Sequence, residues 1–117
     1  MERTTHITKT LKELGISPRL LGYKYLTDAI TMVIDDETLV QRRVTKELYP
    51  NIAKKNNTSM SRVERAIRTC IITSYDRGNL KLLNEMFGYS ISPRTGTATN
   101  TEFIATVAEY VKETYGG

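Results

Sequence analysis

The run Tyr49-Pro50-Asn51-Ile52-Ala53-Lys54-Lys55-Asn56-Asn57-Thr58-Ser59-Met60-Ser61-Arg62-Val63-Glu64-Arg65-Ala66-Ile67-Arg68 decides how this chain is read. It divides into two helical halves around a polar turn. Pro50 lacks an N–H and its ring clashes with the preceding turn, so the spacing predicts a kink there, or a new short helix from Pro50 to about Asn56. Asn56-Asn57-Thr58-Ser59 is polar. Asparagine tolerates the left-handed backbone of a tight turn, which places the turn at Asn57. A long helix follows from about Met60 to Arg77 and stops at Gly78-Asn79. On a wheel of about 100° per residue with Met60 at zero, Val63, Ala66, Ile67, Cys70, Ile71 and Ser74 fall within an arc of roughly 140°. Ser61, Arg62, Arg65, Arg68 and Thr69 lie opposite. Ile52-Ala53 supplies one apolar and one small residue where two helices must approach, and Val63 and Ala66 lock the second helix onto the first. Asn56 sits where an apolar residue normally faces the core, and it can instead cap the helix end. Two helices so joined make a helix-turn-helix over about 50–77.

Working outward, the pattern is helical almost throughout. Ile7, Leu11 and Leu14 are spaced as one helical face, with Gly15 as the stop. Ser17-Pro18 reads as an N-cap followed by proline at the first helical position. Tyr23, Leu26, Ala29, Ile30, Val33 and Ile34 stripe a helix that runs to about Asp35. Asp36 caps a further segment with Val40, Val44 and Leu48 on one side. Leu80, Leu82, Leu83, Met86 and Phe87 make a short helix stopped by Gly88. Ser90 to Asn100 is a loop. Thr99-x-x-Glu102 is a capping box that opens a last helix, with Phe103, Ile104, Val107, Ala108, Val111 and Tyr115 on its buried face. No long strand-period stretch and no internal repeat occurs. The expected architecture is a compact all-α single domain over 1–117, of six or seven helices.

The 117 residues suffice for one domain with a real core, and 39% hydrophobic against 26% charged residues marks a globular rather than a disordered chain. No apolar run is long enough to span a membrane, and Met1 to Thr10 is too polar for a signal peptide. The single Cys70 excludes an internal disulfide, and the single His6 excludes a two-histidine metal site. A reducing, cytoplasmic setting is the simplest expectation, with no cofactor, no metal and no enzymatic role. Between Gln41 and Lys81 ten basic residues face three acids, so that segment is +7, the remainder −3, and the whole +4. A basic middle between acidic flanks suggests a localised polyanion surface, or else solvated helix faces that bind nothing.

The arginines sharpen the first reading. A planar guanidinium can bond guanine O6 and N7 together in the major groove, which an ammonium cannot match. Arg62, Arg65 and Arg68 are therefore candidate base readers. Glu64 can accept from a cytosine amino group, or can simply pair with Arg68 four residues on. Lys54, Lys55, Ser59 and Ser61 flank the turn and suit phosphate oxygens, while Thr58 or Ser59 can also cap the helix. Cys70 sits on the core stripe and His6 is expected at the surface. Asp35-Asp36-Glu37 lies at a helix boundary, where acids cap and complement the dipole. Ile72 points outward, as an interface contact or as an isolated exposed residue. The rival functions are a helical interaction module whose basic helix docks an acidic protein, and RNA binding, for which no stacking platform is evident.

The run from Tyr49 to Thr58 followed by Ser61-Arg62-Val63-Glu64-Arg65-Ala66-Ile67-Arg68 resembles the DNA-binding effector domain of the sporulation master regulators of endospore-forming Firmicutes, the stage zero sporulation protein A family. Gly22-Tyr23-x-Tyr25-Leu26-x-x-Ala29-Ile30, Arg77-Gly78-Asn79, Phe87-Gly88-Tyr89 and Asn100-x-Glu102-Phe103-Ile104-Ala105 extend the likeness from about Ile7 to Tyr115. The resemblance implies a six-helix domain and binding of double-stranded DNA at TGTCGAA-like sites. It also implies contact with RNA polymerase and its housekeeping sigma factor, and self-association on DNA. Arg62, Glu64, Arg65 and Arg68 match that family's recognition-helix residues. The region from Asp76 to Tyr89, with Asp76, Arg77, Asn79, Lys81, Glu85 and Tyr89 as its polar members, matches the surface implicated in activation. Asn56 stands where the family more often has an aromatic residue. The family's phosphoreceiver domain has no counterpart in these residues, so the chain is expected to be an excised effector domain or a truncated relative.

Overall fold

The computed structural model describes residues 2–88 and 96–116. Seven α-helices and one π-helical segment account for most of them, and no strand occurs among the described residues. Helix α1 (Glu2–Glu13) buries Ile7 and Leu11 and is followed by the buried Leu14. Gly15 then turns the chain at φ 84°, a left-handed value that glycine adopts without a Cβ clash. Ser17 and Pro18 do not open the next helix as the sequence pattern suggests. The Ser17 hydroxyl accepts from the Arg19 N–H in a short turn, and α2 begins later, at Leu21 (Leu21–Asp35). Its buried stripe is Leu26, Ala29, Ile30, Val33 and Ile34, joined by Tyr25, with Tyr23 half-buried.

The expected single helix after Asp36 is instead broken in two. Asp36 does cap, accepting from the Thr38 N–H at 3.1 Å, and α3 (Thr38–Gln41) follows. The buried residue there is Leu39, while Val40 and Val44 are only half-buried. Val44–Leu48 is π-helical: the Leu48 N–H bonds back five residues to the Arg43 carbonyl, and the Tyr49 N–H to that of Val44. This wider turn runs up to Pro50, whose ring would collide with the carbonyl four residues back in a regular α-helix. Helix α4 (Tyr49–Lys55) therefore starts with proline in its first turn, where the missing N–H costs nothing.

Helix α5 (Met60–Arg77) ends at Gly78, and α6 (Leu80–Phe87) is capped by Asn79, whose side chain accepts from the Leu82 N–H. Residues 89–95 of the expected Ser90–Asn100 loop lie outside the described residues. Helix α7 (Asn100–Tyr115) opens with both halves of the capping box, Glu102 N–H to Thr99 Oγ1 at 3.1 Å and Thr99 N–H to Glu102 Oε1 at 2.9 Å. Helix α2 is the centre of the assembly and packs most extensively against α5 and α7. Gly22 permits the α2–α5 contact: a Cβ there would lie 2.3 Å from the Ala66 carbonyl oxygen. Phe103 is fully buried and stacks on Phe87 at 5.5 Å. Met60, Leu80, Tyr115 and His6 also differ from the placements read from the sequence. Met60 and Leu80 are exposed, because each lies at the first residue of its helix, beyond the packed stripe. Tyr115 is half-buried and stacks on a half-buried His6 at 3.9 Å, so His6 is part of the α1–α7 seam rather than a free surface residue.

Candidate nucleic-acid interface

Helices α4 and α5 are joined by a turn that caps both. Asn57 takes the left-handed conformation (φ 53°), as the sequence predicts. The Thr58 N–H bonds the Ala53 carbonyl and the Asn57 N–H that of Lys54, which satisfies the end of α4. Ser59 then caps α5 through its hydroxyl, accepting from the Arg62 N–H at 3.2 Å; a cap of this kind stabilises a helix by about 1 kcal/mol. Asn56 is explained by its partners. Its amide donates to the Ile52 carbonyl at 2.8 Å, capping α4, and to Asp28 Oδ2 at 2.9 Å. A polar residue is tolerated at this half-buried position because a buried carboxylate from α2 meets it.

Val63, Ile67, Cys70, Ile71 and Ser74 of α5 are buried, and Ala66 is half-buried against α2. Ser61, Arg62, Glu64, Arg65 and Thr69 are exposed. Ile72 is 45% exposed and lies on the Arg62–Arg65–Thr69 side. Two concavities flank this ridge. One, of about 690 Å³, runs between α5, the π-helical segment and the start of α7, with Arg65 and Arg68 on its wall. The other, of about 380 Å³, is apolar and lies between α5 and the Leu20–Leu21 corner.

Arg68 is placed differently from Arg62 and Arg65. It is half-buried, and its guanidinium donates to the Ala98 carbonyl at 2.9 Å, to Asn100 Oδ1 at 3.4 Å and to the Thr97 hydroxyl. Glu64 does not pair with it. The Asn100 amide in turn donates to the Glu64 carbonyl at 3.1 Å and the Tyr49 hydroxyl at 3.3 Å. Burial pushes the Tyr49 phenol up from its ordinary range, which keeps it neutral.

Lys54, Ser59 and Ser61 are exposed around the turn. Lys55 is exposed too, but its ammonium lies 3.2 Å from Asp28 Oδ1, which also pairs with Lys24 at 3.0 Å. Burial pushes the Asp28 carboxyl up, but hydrogen bonds from Asn56, Lys24 and Lys55 outweigh it and hold the group below its ordinary value. Asp28 is thus an anion under the turn. Of the expected polymerase-contacting set, Asp76, Arg77, Lys81 and Glu85 are exposed, Asn79 caps α6, and Tyr89 lies outside the described residues. Cys70 is buried, and desolvation pushes its thiol up to about 11, so it behaves as a small apolar group.

Sequence reasoning missed Asp28, Tyr49 and Asn100 as parts of this surface. Asp28 left one signal, an acid on the edge of the apolar α2 stripe four residues after Lys24. Tyr49 and Asn100 left none beyond lying in the quoted motifs, since only folding brings them to α5.

An all-α fold, with two helices joined by a tight turn and the second presenting arginines outward, defines the class as helical DNA-binding domains of transcription regulators. The family model described as "Sporulation initiation factor Spo0A C terminal" matches residues 7–111, and the chain belongs to that family. It is a DNA-binding effector domain of sporulation initiation, and the family is one of transcription factors rather than enzymes. No helix among the described residues is long and apolar enough to cross a membrane.

Proposed function

We propose that α5 enters the major groove of double-stranded DNA at short TGTCGAA-like sites, as the recognition helix of a helix-turn-helix over about 50–77. Arg62, Glu64 and Arg65 read base edges, and Lys54, Lys55, Ser59 and Ser61 hold phosphates. The observation that carries this reading is the division of α5. Its inner stripe is buried, while the first two turns of its outer face expose a carboxylate and two guanidiniums that are unpaired among the described residues. Arg68 belongs to the same surface by resemblance, and its bonds to residues 97–100 give it a separate part, argued below. Asp76, Arg77, Asn79, Lys81 and Glu85 are offered to RNA polymerase and its housekeeping sigma factor, a role that the resemblance extends to Tyr89. Copies of the domain associate on adjacent sites, and the work is cytoplasmic.

The test is a titration of duplex DNA at several salt concentrations. Affinity is expected to fall with a log–log slope near −0.9 per phosphate contacted. A TGTCGAA-containing duplex is expected to bind about 10³-fold or more tightly than random DNA. Equal affinity for both would reduce the surface to electrostatic adhesion and overturn sequence reading. A footprint on candidate promoters, with and without polymerase holoenzyme, tests the second face.

A further inference from the structure

We propose that Arg68, acting with Asn100, is a positioning residue for DNA reading rather than a reader itself; the inference rests on the function proposed above. The forked end of its guanidinium is already occupied, by the Ala98 carbonyl at 2.9 Å, by Asn100 Oδ1 and by the Thr97 hydroxyl. Turning it toward a base would forfeit those bonds. The clamp does not stop there. Asn100 donates to the Glu64 carbonyl at 3.1 Å and to the Tyr49 hydroxyl at 3.3 Å. A continuous run of hydrogen bonds therefore links α4, the start of α7, and the turn of α5 from Glu64 to Arg68.

That turn carries Arg65. The neighbouring Val63 and Ile67 are fully buried, so apolar packing holds one flank of α5 and the polar clamp holds the flank beside it. Packing alone tolerates small rotations of a helix, because it is non-directional. Hydrogen bonds to two other elements do not, because their geometry is specific. The distinction matters for a bidentate contact. Both N–H groups of Arg65 must meet their acceptors within a few tenths of an ångström at once. Without the clamp, α5 keeps its fold but loses the fixed roll that aligns Arg65 and Glu64 with base edges, and Asn100→Ala removes part of the clamp with no change of charge.

The test compares the unmodified chain with Arg68→Ala, Asn100→Ala, the double variant and Arg65→Ala. Each is titrated against a TGTCGAA-containing duplex, a set of single base-pair changes within that core, and random DNA, over a range of salt. Arg68→Ala is expected to weaken cognate binding about tenfold, with discrimination blunted across the core rather than at one position. Random-DNA affinity and the salt slope are expected to stay as in the unmodified chain. Asn100→Ala is expected to reproduce the pattern, and the double variant to fall less than about threefold below Arg68→Ala, since both belong to one unit. Circular dichroism melting accompanies each variant. If Arg68→Ala does not fold, Asn100→Ala, which leaves the bond to Ala98, carries the same comparison. Loss of discrimination at a single base pair would overturn the proposal by making Arg68 a reader. A shallower salt slope with uniform loss would overturn it by making Arg68 a phosphate contact. Absence of any cognate preference in the unmodified chain would instead refute the function on which the proposal rests.

Discussion

Gly22→Ala puts the α2–α5 contact to a direct test. The substitution adds one carbon where α2 crosses the back of α5. Built on the backbone, that carbon would lie 2.3 Å from the Ala66 carbonyl oxygen, 2.7 Å from its carbon and 2.7 Å from Cys70 Sγ. The cysteine can rotate, but the carbonyl belongs to a helix and can move only with it. Overpacking of this kind costs about 1–3 kcal/mol, and a backbone neighbour places this case at the upper end. Alanine also favours a helix over glycine by about 1 kcal/mol, which offsets part of the loss. The net is a destabilisation of about 2 kcal/mol. For a domain of this size that lowers Tm by roughly 6–12 °C. Thermal unfolding followed by circular dichroism at 222 nm measures it. Gly88→Ala is the control: nothing among the described residues lies within 4 Å of the added carbon, so backbone strain alone acts, at about 1–3 kcal/mol for an alanine at φ 58° and ψ −133°. Because α2 is pushed away directly behind Arg65, cognate DNA binding is expected to weaken in Gly22→Ala and not in Gly88→Ala. A Gly22→Ala protein that melts at or above the unmodified temperature would show that helix propensity outweighs the clash and that the helices do not approach this closely.

Arg65→Ala is expected to cost specific binding about 1–3 kcal/mol while leaving random-sequence affinity nearly unchanged in parallel fluorescence-anisotropy titrations. Equal loss on both duplexes would make Arg65 a phosphate contact. Lys54→Ala is expected to weaken all duplexes alike and to flatten the log–log salt slope by about 0.9; an unchanged slope removes Lys54 from the phosphate set. Asp28 holds its carboxyl below the ordinary value in the folded chain, so its contribution is present above the unfolded pKa and is lost as acid protonates it. Denaturant midpoints are therefore expected to drop as pH falls below about 4, and to drop less in Asp28→Asn, with identical acid profiles refuting the assignment. Cys70 is expected to resist a thiol reagent at pH 8 in the native state and to react on unfolding, because it is buried and its thiol is pushed up to about 11. Rapid native labelling would contradict its place in the core.

Much of the α4–turn–α5 unit was legible because its signals are local. The left-handed Asn57, the Ser59 cap and the Val63–Ile67–Cys70–Ile71–Ser74 stripe depend on residues within a turn or two of each other. The same holds for the capping box at Thr99 and for both ends of α5. Helical period alone also separates an inner from an outer face, so the exposure of Arg62 and Arg65 followed from spacing. Local signals failed where two of them competed. Ser17-Pro18 has the composition of a helix start but closes a turn, in which the Ser17 hydroxyl accepts from the Arg19 N–H, and α2 begins only at Leu21. Pro50 signalled an interruption, but whether by kink, break or π-turn was settled by how Leu48 and Tyr49 reach the core together.

What the sequence determined by itself was the all-α class, the helix-turn-helix and the cationic outer edge of α5, since these rest on periodicity, caps and charge. What only the tertiary structure decided was which of three similarly spaced arginines is free. Arg62, Arg65 and Arg68 differ by partners that lie far away in sequence: Arg68 meets residues 97–100, thirty positions on, while the other two meet none among the described residues. A wheel places a side chain on a face of its own helix. It carries no information about the second element that folding lays against that face, and that element determines whether a guanidinium is offered to a partner or held by its own chain.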